Sequence, residues 1–534
     1  MSKSLNRILF AIVAIVLLFA LITCWPYVRQ IASHMSRKAP EQLIGSVLSP
    51  TGVSGLSSTK NMPIPVSIPG GAGHLVEGYT AQGEGAKVVI HIQDIHTNYE
   101  AQKNMSRILE ALIKDNKLKL IMVEGGWGNV NLSYLRSYAD AERRQAVAEE
   151  YLREGKISGE EYLDIVSEYD IKLEGIEDES LYMANLDTFF EIEEFREEAS
   201  AELAALGRVI DKLKKKMYSP QLIELERTKQ EYDNENITLA DYYRYLNIMA
   251  GRAKQNITNY PNFSGFMAVV ESERAIRFPI VEKERAALIE KLSKGLSKQD
   301  LTTLVTKSLE FRLNKLTPLQ YHDYLMDTAR KAGESTQRYA NLGKYIEYIR
   351  AHENIDTSKL FEEADELLRA VENAMIKDPH QRQLYAISRS AQVLDNFLHI
   401  KLMPNDFKYY KQNRNTFITA GWIDFLKQQT ERNNLRIPAI QPAVTLDTHL
   451  STLVRFYDLA NERDDDFTQN AIRLMNQEDV AIAVLIAGGF HTPNLKQKFK
   501  ECGLSYIIVA PYTTQQTDPE QYRYILKYKS GREE

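Results

Sequence analysis

Two kinds of hydrophobic pattern alternate in the first part of this 534-residue chain. Short, mostly apolar runs at residues 88–92, 118–123 and 171–176 are typical of buried strands, and a further short strand is predicted at 73–79. Between the first two runs, residues 99–114 place apolar side chains at helical spacing. A glycine-rich turn predicts that the strands at 73–79 and 88–92 form a hairpin. Strands alternating with helices are typical of a parallel sheet.

This alternation stops for some 250 residues. Residues 181–434 are charged, rich in Leu and Ala, poor in Gly, and helical in spacing throughout. Residues 190–232 predict a long helical hairpin that breaks near Ser219 and Pro220. The charge runs of this segment are typical of solvated helix faces.

The strand pattern returns near the C-terminus. Residues 480–487 form a continuous apolar run, a helix is predicted at 494–502, a strand at 505–510, and an edge strand at 522–529. The predicted fold class is therefore α/β, with a mostly parallel sheet flanked by helices and split by a large all-α insertion. The predicted parts are a membrane anchor with its flank, a flexible tether, the first half of the core, the insertion, and the second half of the core, at 1–38, 39–72, 73–180, 181–434 and 435–534.

The N-terminal segment is the clearest targeting signal. Residues 8–25 carry no charge over about the length that spans a bilayer, and Lys3 and Arg7 precede them. No small-x-small cleavage site follows, so the sequence predicts an uncleaved signal anchor with a single transmembrane helix. Cys24 ends a stretch that faintly resembles a lipoprotein cleavage box, which leaves lipidation open. The bulk of the chain is predicted to be extracytoplasmic, either periplasmic or extracellular.

The composition argues against a nucleic-acid partner and against a disulfide bond. The formal net charge is −6, so nothing indicates a nucleic-acid partner. The only cysteines are Cys24 and Cys502, and the position of Cys24 in the apolar segment argues against a disulfide between them. The predicted partners are the membrane, through the N-terminal helix, and a small-molecule or peptide substrate.

Polar side chains follow four of the predicted strands at their carboxyl ends. Asp94 and His96 follow the first buried strand, Glu124 the second, Glu177 the third, and His491 the run at 480–487. Because reactive groups collect beyond the carboxyl ends of parallel strands, we expect one shared site there. His96, Glu124, His491 and Glu177 are the candidate catalytic residues, and Asp94 is a supporting candidate.

Two chemistries remain open for this set. Two imidazoles and a carboxylate, His96, Glu124 and His491, can hold a divalent metal such as Mn, Co or Zn with positions open for water and substrate. The same groups without a metal can activate water as a general base and protonate a leaving group.

Five further residues are weaker candidates for supporting roles. Gln102 lies in the first turn of the helix after His96, although a solvated helix face explains it equally well. Gly125 and Gly488 permit tight turns and a close approach of ligand to backbone. Asp447 and His449 lie two residues apart just before a predicted helix, where Asp447 can also be a helix N-cap.

The motifs together resemble a known superfamily. IHIQDIHTNYEAQ, MVEGG, GIED and AGGFHT are similar to elements of the group that joins the haem-uptake protein ChaN, erythromycin esterases, the TraB and PrgY pheromone-shutdown proteins and the Tiki membrane proteases. The resemblance implies an α/β core with helical insertions and a site at His96, Glu124 and His491. It also implies that Glu177 is the acidic position after the third strand, and that Gly488 with His491 forms the late Gly-x-x-His motif. The sequence departs from the family pattern at Gln93-Asp94, where members often have Gly-Glu.

Members of that superfamily differ in activity, so the resemblance leaves several functions open. The first hypothesis is a membrane-anchored hydrolase of peptide or ester bonds that uses the His–Glu–His site, with or without a divalent metal. The second is a non-catalytic protein of the ChaN type that binds haem or another ligand. The third is an inactive helical interaction scaffold, against which the retained His–Glu–His set argues.

Overall fold

The computed structural model contains a seven-stranded sheet with helices on both faces and a large helical insertion. It describes residues 63–83, 85–234, 236–312, 316–515 and 517–532. The strands are β1 (Gly73–Tyr79), β2 (Val88–Asp94), β3 (Leu120–Val123), β4 (Trp127–Asn129), β5 (Lys172–Ile176), β6 (Ile482–Gly488) and β7 (Ser505–Pro511).

Eighteen α-helices are described. Those of the first half are α1 (Tyr99–Asn116), α2 (Ala141–Arg153) and α3 (Gly159–Val166). The insertion comprises α4 (Glu179–Met217), α5 (Pro220–Asp233), α6 (Leu239–Arg252), α7 (Pro261–Glu273), α8 (Phe278–Gly295), α9 (Lys298–Arg312), α10 (Pro318–Lys331), α11 (Ala340–Glu353), α12 (Thr357–Met375), α13 (Pro379–Leu398), α14 (Pro404–Gln412) and α15 (Ile423–Arg432). The C-terminal part has α16 (Val444–Gln477), α17 (Thr492–Glu501) and α18 (Pro519–Lys529).

The strand order β1-β7-β2-β6-β3-β5-β4 brings the two halves of the core together in one sheet. β7, β2, β6, β3 and β5 run parallel, and β1 and β4 are antiparallel edges. The predicted α/β class with a mostly parallel sheet is therefore confirmed. The predicted hairpin is wrong: β1 pairs with β7, because both sides of β2 are occupied by β6 and β7.

Two apolar layers cover the faces of the sheet. One face packs against α1 and α3 through residues such as Met105, Ile108 and Leu163. The other packs against the C-terminal half of α16 and against α17, through residues such as Phe467 and Phe499. The five parallel strands are thus buried on both sides, as their mostly apolar composition predicts.

The insertion forms hydrophobic clusters of its own. Ser219 caps the N-terminus of α5 and Pro220 occupies its first turn, which ends the 39-residue helix α4 at Met217. The predicted break near Ser219 and Pro220 is confirmed, but the long hairpin is not, because α4 packs mainly against α13 and α16 rather than along α5. One insertion cluster combines α4, α13, α14 and α15 with the start of α16, so α16 joins the insertion to the core.

Two further sequence predictions need correction. Residues 522–529 belong to helix α18 and not to an edge strand; Asp518 caps that helix and Pro519 starts it. Residues 63–72 were assigned to the tether, but Ile64, Val66 and Ile68 pack against the core beside the buried Ala72.

The predicted anchor and the first part of the tether lie outside the described residues. Within the described ranges, none of the helices is both long and apolar enough to cross a membrane. The predicted transmembrane helix at residues 8–25 therefore stays a prediction.

Candidate functional site

The carboxyl ends of four strands meet at one edge of the sheet, in matching register. Asp94, at the end of β2, pairs with Gly488 at the end of β6. The backbone N–H of Glu124, directly after β3, donates to the carbonyl of Ile486 in β6. Glu177 follows β5, the neighbour of β3 on its other side. The strand ends predicted from the sequence are therefore adjacent in space.

Glu124 lies at the centre of this edge, where three donors reach its carboxylate. Oε2 accepts from the backbone N–H of Gly488 at 2.6 Å. Oε1 lies 3.0 Å from Nη2 of Arg463 and 3.2 Å from Nε2 of His491. Burial raises the pKa of Glu124, but the cations His491, Arg463 and His96 outweigh burial and hold it well below its usual value. Glu124 is thus a carboxylate at neutral pH.

His491 is buried between two carboxylates. Its Nδ1 lies 2.6 Å from Oδ1 of Asp464, and its Nε2 faces Glu124. Burial lowers the pKa of His491, yet Glu124 and Asp464 together raise it to about 9. Both ring nitrogens therefore donate to carboxylates, and His491 is an imidazolium at neutral pH.

Arg463 holds Glu177 behind Glu124. Its Nη2 and Nε lie 2.6 and 3.2 Å from the two oxygens of Glu177, and its Nη1 lies 2.8 Å from the side-chain oxygen of Asn185. Gly125 also donates its backbone N–H to Glu177, at 3.2 Å, from a turn with φ +77°. Glu177, predicted to be catalytic, is thus bound by Arg463 and helps to hold this guanidinium beside Glu124. It does not face the open side of the site.

His96 forms a second histidine–carboxylate pair. Its Nδ1 lies 2.6 Å from Oδ2 of Asp94, and the side-chain amide of Gln102 donates to Oδ1 of Asp94 at 2.5 Å. The carbonyl of Gln102 in turn accepts from the backbone N–H of Gly159, at 2.7 Å. Burial lowers the pKa of His96, but Asp94 and then Glu124 raise it to about 9. Asp94 and Gln102 therefore have the supporting roles that the sequence predicted.

The two histidine–carboxylate pairs converge above Gly488. A methyl group added to Gly488 would lie 3.5 Å from Oε2 of Glu124. The same methyl would lie 3.7 Å from Nε2 of His96 and 4.0 Å from Cδ2 of His491. Glycine at this position therefore leaves room for one atom of a ligand among three charged side chains.

Nε2 of His96 is the open group of the site. The His96 side chain is 37% exposed, and this nitrogen has no hydrogen-bond partner among the described residues. The ring of Tyr522 stacks on the imidazole with centroids 5.7 Å apart and planes 8° apart. Because Asp94 holds the Nδ1 proton, Nε2 is the atom that can exchange a proton with a ligand above Gly488.

The predicted metal ligands do not form an open ligand set in this arrangement. Both oxygens of Glu124 and both nitrogens of His491 have partners within the protein, and an imidazolium has no lone pair for a metal. Of the residues that the structure describes, no group of three or more His, Cys, Asp or Glu side chains is placed to hold a metal ion. Nε2 of His96 has no partner in the described part of the protein but, with a pKa of about 9, it is also protonated at neutral pH, so we derive no catalytic step through Mn, Co or Zn.

Asp447 and His449 lie away from this edge. Asp447 is in the first turn of α16, sixteen residues before Arg463 and so about 24 Å from it along the helix. Its carboxylate accepts hydrogen bonds from the backbone of Thr419 and Ala420. His449 stacks on Phe195 of the insertion, with ring centroids 4.3 Å apart. The structure therefore gives both residues packing and capping roles, although Ala443 and not Asp447 is the N-cap residue of α16.

Arg463, Asp464 and Tyr522 are site residues that the sequence reasoning missed. Arg463 and Asp464 belong to a charged run that is typical of a solvated helix face. The buried positions of α16, however, include Ala460 and Phe467, and helical spacing places Arg463 and Asp464 on that same buried face. The signal in the sequence was the position of two charged residues, Arg463 and Asp464, on the apolar face of this helix.

Comparison with known proteins finds no significant match. No protein-family model matches the chain, and neither a curated protein nor a solved structure shows a significant match to it. The resemblance to the ChaN, erythromycin-esterase, TraB and Tiki superfamily therefore rests on the motifs alone and stays a prediction.

The raised pKa values predict that stability declines above neutral pH. A histidine in an unfolded chain titrates near 6.5, whereas His96 and His491 titrate at about 9 in the folded protein. The stabilisation from these charges is therefore fully present below about pH 6.5 and is lost as the pH rises through 9. Denaturant unfolding across this range should give a decreasing free energy of unfolding, with a smaller decrease in His96→Gln. His399→Gln, an exposed histidine near Asp395, is the matched control; equal slopes in the wild type and both variants would refute the prediction.

Proposed function

We propose that the chain is a membrane-anchored hydrolase that cleaves an ester or peptide bond at the site above Gly488. The observation that carries this proposal is the convergence of His96 Nε2 and Glu124 Oε2 on the same ligand-sized position. A partly exposed imidazole backed by a carboxylate is suited to proton transfer with water and with a leaving group. The superfamily resemblance, which includes esterases and proteases, supports the same class of reaction.

Residues of the chain are suited to carry out each step of a hydrolysis that does not need a metal. Above about pH 9, where His96 is neutral, it takes a proton at Nε2 as water attacks the carbonyl carbon, and Asp94 and Glu124 stabilise the imidazolium that forms. The backbone N–H groups of Gly489 and Phe490 have no acceptor among the described residues and follow Gly488 directly. They are suited to donate to the oxyanion. His96 then returns the proton to the leaving oxygen or nitrogen as the tetrahedral intermediate collapses.

Substitution of Gly488 tests the convergence that the proposal depends on. Gly488→Ala adds a methyl group at ordinary van der Waals distances from its neighbours, so the protein should fold. The methyl fills the position of the attacking water, so hydrolysis of an ester such as 4-nitrophenyl acetate or of a quenched peptide library should decrease by about tenfold or more. Gly489→Ala is the matched control, because an added methyl there meets nothing within 4 Å. Equal activity of the two variants, or no hydrolysis by the wild type above the Gly488→Ala background, would exclude the proposed site.

The same assay also tests whether the hydrolysis depends on a metal. If the site binds Mn, Co or Zn, as the sequence predicted, the ligands must leave their present partners. Hydrolysis that is lost on chelation and restored by one of these ions would establish that form, whereas the present arrangement favours activity that survives chelation.

Haem or ligand binding is the second candidate function. The observation that favours it is the stacking of Tyr522 on His96, whose Nε2, once deprotonated, would be the nitrogen that holds a haem iron. A Soret band on titration with haem that disappears in His96→Ala would support this function.

The membrane location is part of the proposal. Its support is the uncharged segment at residues 8–25 after Lys3 and Arg7, which predicts an uncleaved anchor with an extracytoplasmic catalytic part. Full-length protein that remains in membranes after alkaline extraction would support the anchor.

A further inference from the structure

A cavity lies beside the candidate site, between the insertion and the α/β core. Its volume is about 410 Å³, within the range of small-molecule sites in proteins. Its walls come from α14 and the two residues before it, from the middle of α16, from the loop between β6 and α17, and from the first turn of α17. Phe490, in that loop, contacts His491 with ring centroids 5.2 Å apart. The cavity is thus separated from the candidate site by a single layer of side chains.

The inner surface of the cavity is apolar and largely aromatic. Leu402, Phe407 and Tyr457 line it and are buried, whereas Phe490 is 40% exposed. The hydroxyl of Tyr457 accepts from the backbone N–H of Leu402, so the polar atom of this side chain is already paired within the protein. Such a surface favours a planar or short alkyl group.

The rim of the cavity is positively charged. Lys408 and Lys411 lie one turn apart on α14, and both are exposed. Lys411 pairs with Asp458 at 3.0 Å and lies 4.4 Å from the ring centre of Phe407. Lys408 forms no ion pair within the described ranges, so the rim keeps an uncompensated positive charge. A negatively charged group is therefore favoured at the mouth.

The polar wall of the cavity reaches the candidate site through one asparagine. Nδ2 of Asn494 lies 2.6 Å from Oδ1 of Asn461 and 3.0 Å from Oδ2 of Asp464, the carboxylate that pairs with His491. Nδ2 of Asn461 has no acceptor among the described residues and remains available as a donor. Three hydrogen bonds, through Asn494 and Asp464, therefore connect Asn461 with His491.

From these features we propose that the cavity is a binding site for a small amphipathic anion, a carboxylate on an aromatic or short alkyl body. The body lies against Phe407, Tyr457 and Phe490, and the carboxylate is held by Lys408 and Lys411. This site is distinct from the position above Gly488, and its existence does not depend on the proposed hydrolysis.

Binding of 3-phenylpropionate and hexanoate to the full-length protein tests the proposal. We expect weak binding of such small ligands, with a dissociation constant on the order of 1 mM, so ligand-detected NMR titration to about 10 mM is the suitable measurement. The double variant Lys408→Gln/Lys411→Gln should weaken binding by about tenfold, because charge-assisted contacts are lost. The uncharged analogue 3-phenylpropan-1-ol should bind more weakly than the acid by a similar factor.

Matched controls separate this cavity from general charge effects. Lys377→Gln/Lys427→Gln removes two exposed charges from parts of the insertion that do not line the cavity and should leave binding unchanged. Because all four lysines are exposed, the variants should fold. Any of three results would overturn the proposal: neither acid binds, the alcohol binds as tightly as the acid, or the two double variants have equal affinities.

Discussion

Replacing Glu124 with Gln is expected to lower kcat/KM for hydrolysis by about two to four orders of magnitude. The amide keeps the shape of the side chain but removes the negative charge that His96, His491 and Arg463 face. Without that charge His96 becomes less basic, so the pH at which the neutral imidazole predominates should shift below about 9. The measurement is the pH dependence of kcat/KM on the best ester or peptide substrate.

Glu174 provides the control for this substitution. It is a carboxylate of β5 with 8% exposure that pairs with Lys172 at 3.2 Å, away from the strand end that bears the site. Glu174→Gln should retain activity close to that of the wild type. If Glu124→Gln and Glu174→Gln hydrolyse the substrate equally well, Glu124 is not part of an active site.

Replacing Arg463 with Met is expected to cost about 3–5 kcal/mol of folding free energy. The guanidinium is 8% exposed and is the shared partner of Glu124 and Glu177, both of which would be left buried near one another. Burial already raises the pKa of Glu177 against the effect of Arg463, so removing the cation should raise it further. Chemical denaturation at neutral pH measures the loss.

Two further variants separate this charge effect from a general effect of the substitution. Arg473→Met changes an arginine on the same helix whose hydrogen bonds to Asn470 and Gln477 are exposed, and it should alter stability by less than about 0.5 kcal/mol. Adding Glu177→Gln to Arg463→Met should restore part of the stability, because one buried charge is removed. If Arg463→Met and Arg473→Met are equally stable, the buried network does not have the proposed energetic role.

The sequence predicted the reactive edge because strand ends are local features. An apolar run that stops at Asp94, at Glu124 or before the Gly488 loop identifies the end of a buried strand without knowledge of its neighbours. In a parallel sheet the carboxyl ends of the strands lie on one edge, whichever strands are adjacent. The histidines and Glu124 were found in this way.

The supporting shell could not be found in the same way, because it comes from segments distant in sequence. Arg463 lies 339 residues from Glu124, and in a linear sequence it is one charge in a charged run. Tyr522 was assigned to a strand because its aromatic neighbours have high strand propensity. The cap at Asp518 and the proline at 519 override that propensity and start a helix that brings Tyr522 onto His96.

The pairing of β1 with β7 also could not be predicted from the local sequence pattern. A short turn between two strands favours a hairpin, but β2 is an interior strand of the sheet and pairs on both sides with C-terminal strands. Only the tertiary arrangement of β6 and β7 decides this, and β1 then takes the free edge of β7.

The most direct test of the account is an NMR titration of the histidine side chains in the full-length protein, labelled with nitrogen-15 at its ten histidines. The central claim is that His96 and His491 belong to one site and are coupled through Glu124. The account predicts that both rings titrate at about 9, and that Glu124→Gln lowers both pKa values together. Titration of both rings near 6.5, or a shift of only one ring in Glu124→Gln, would contradict a shared site.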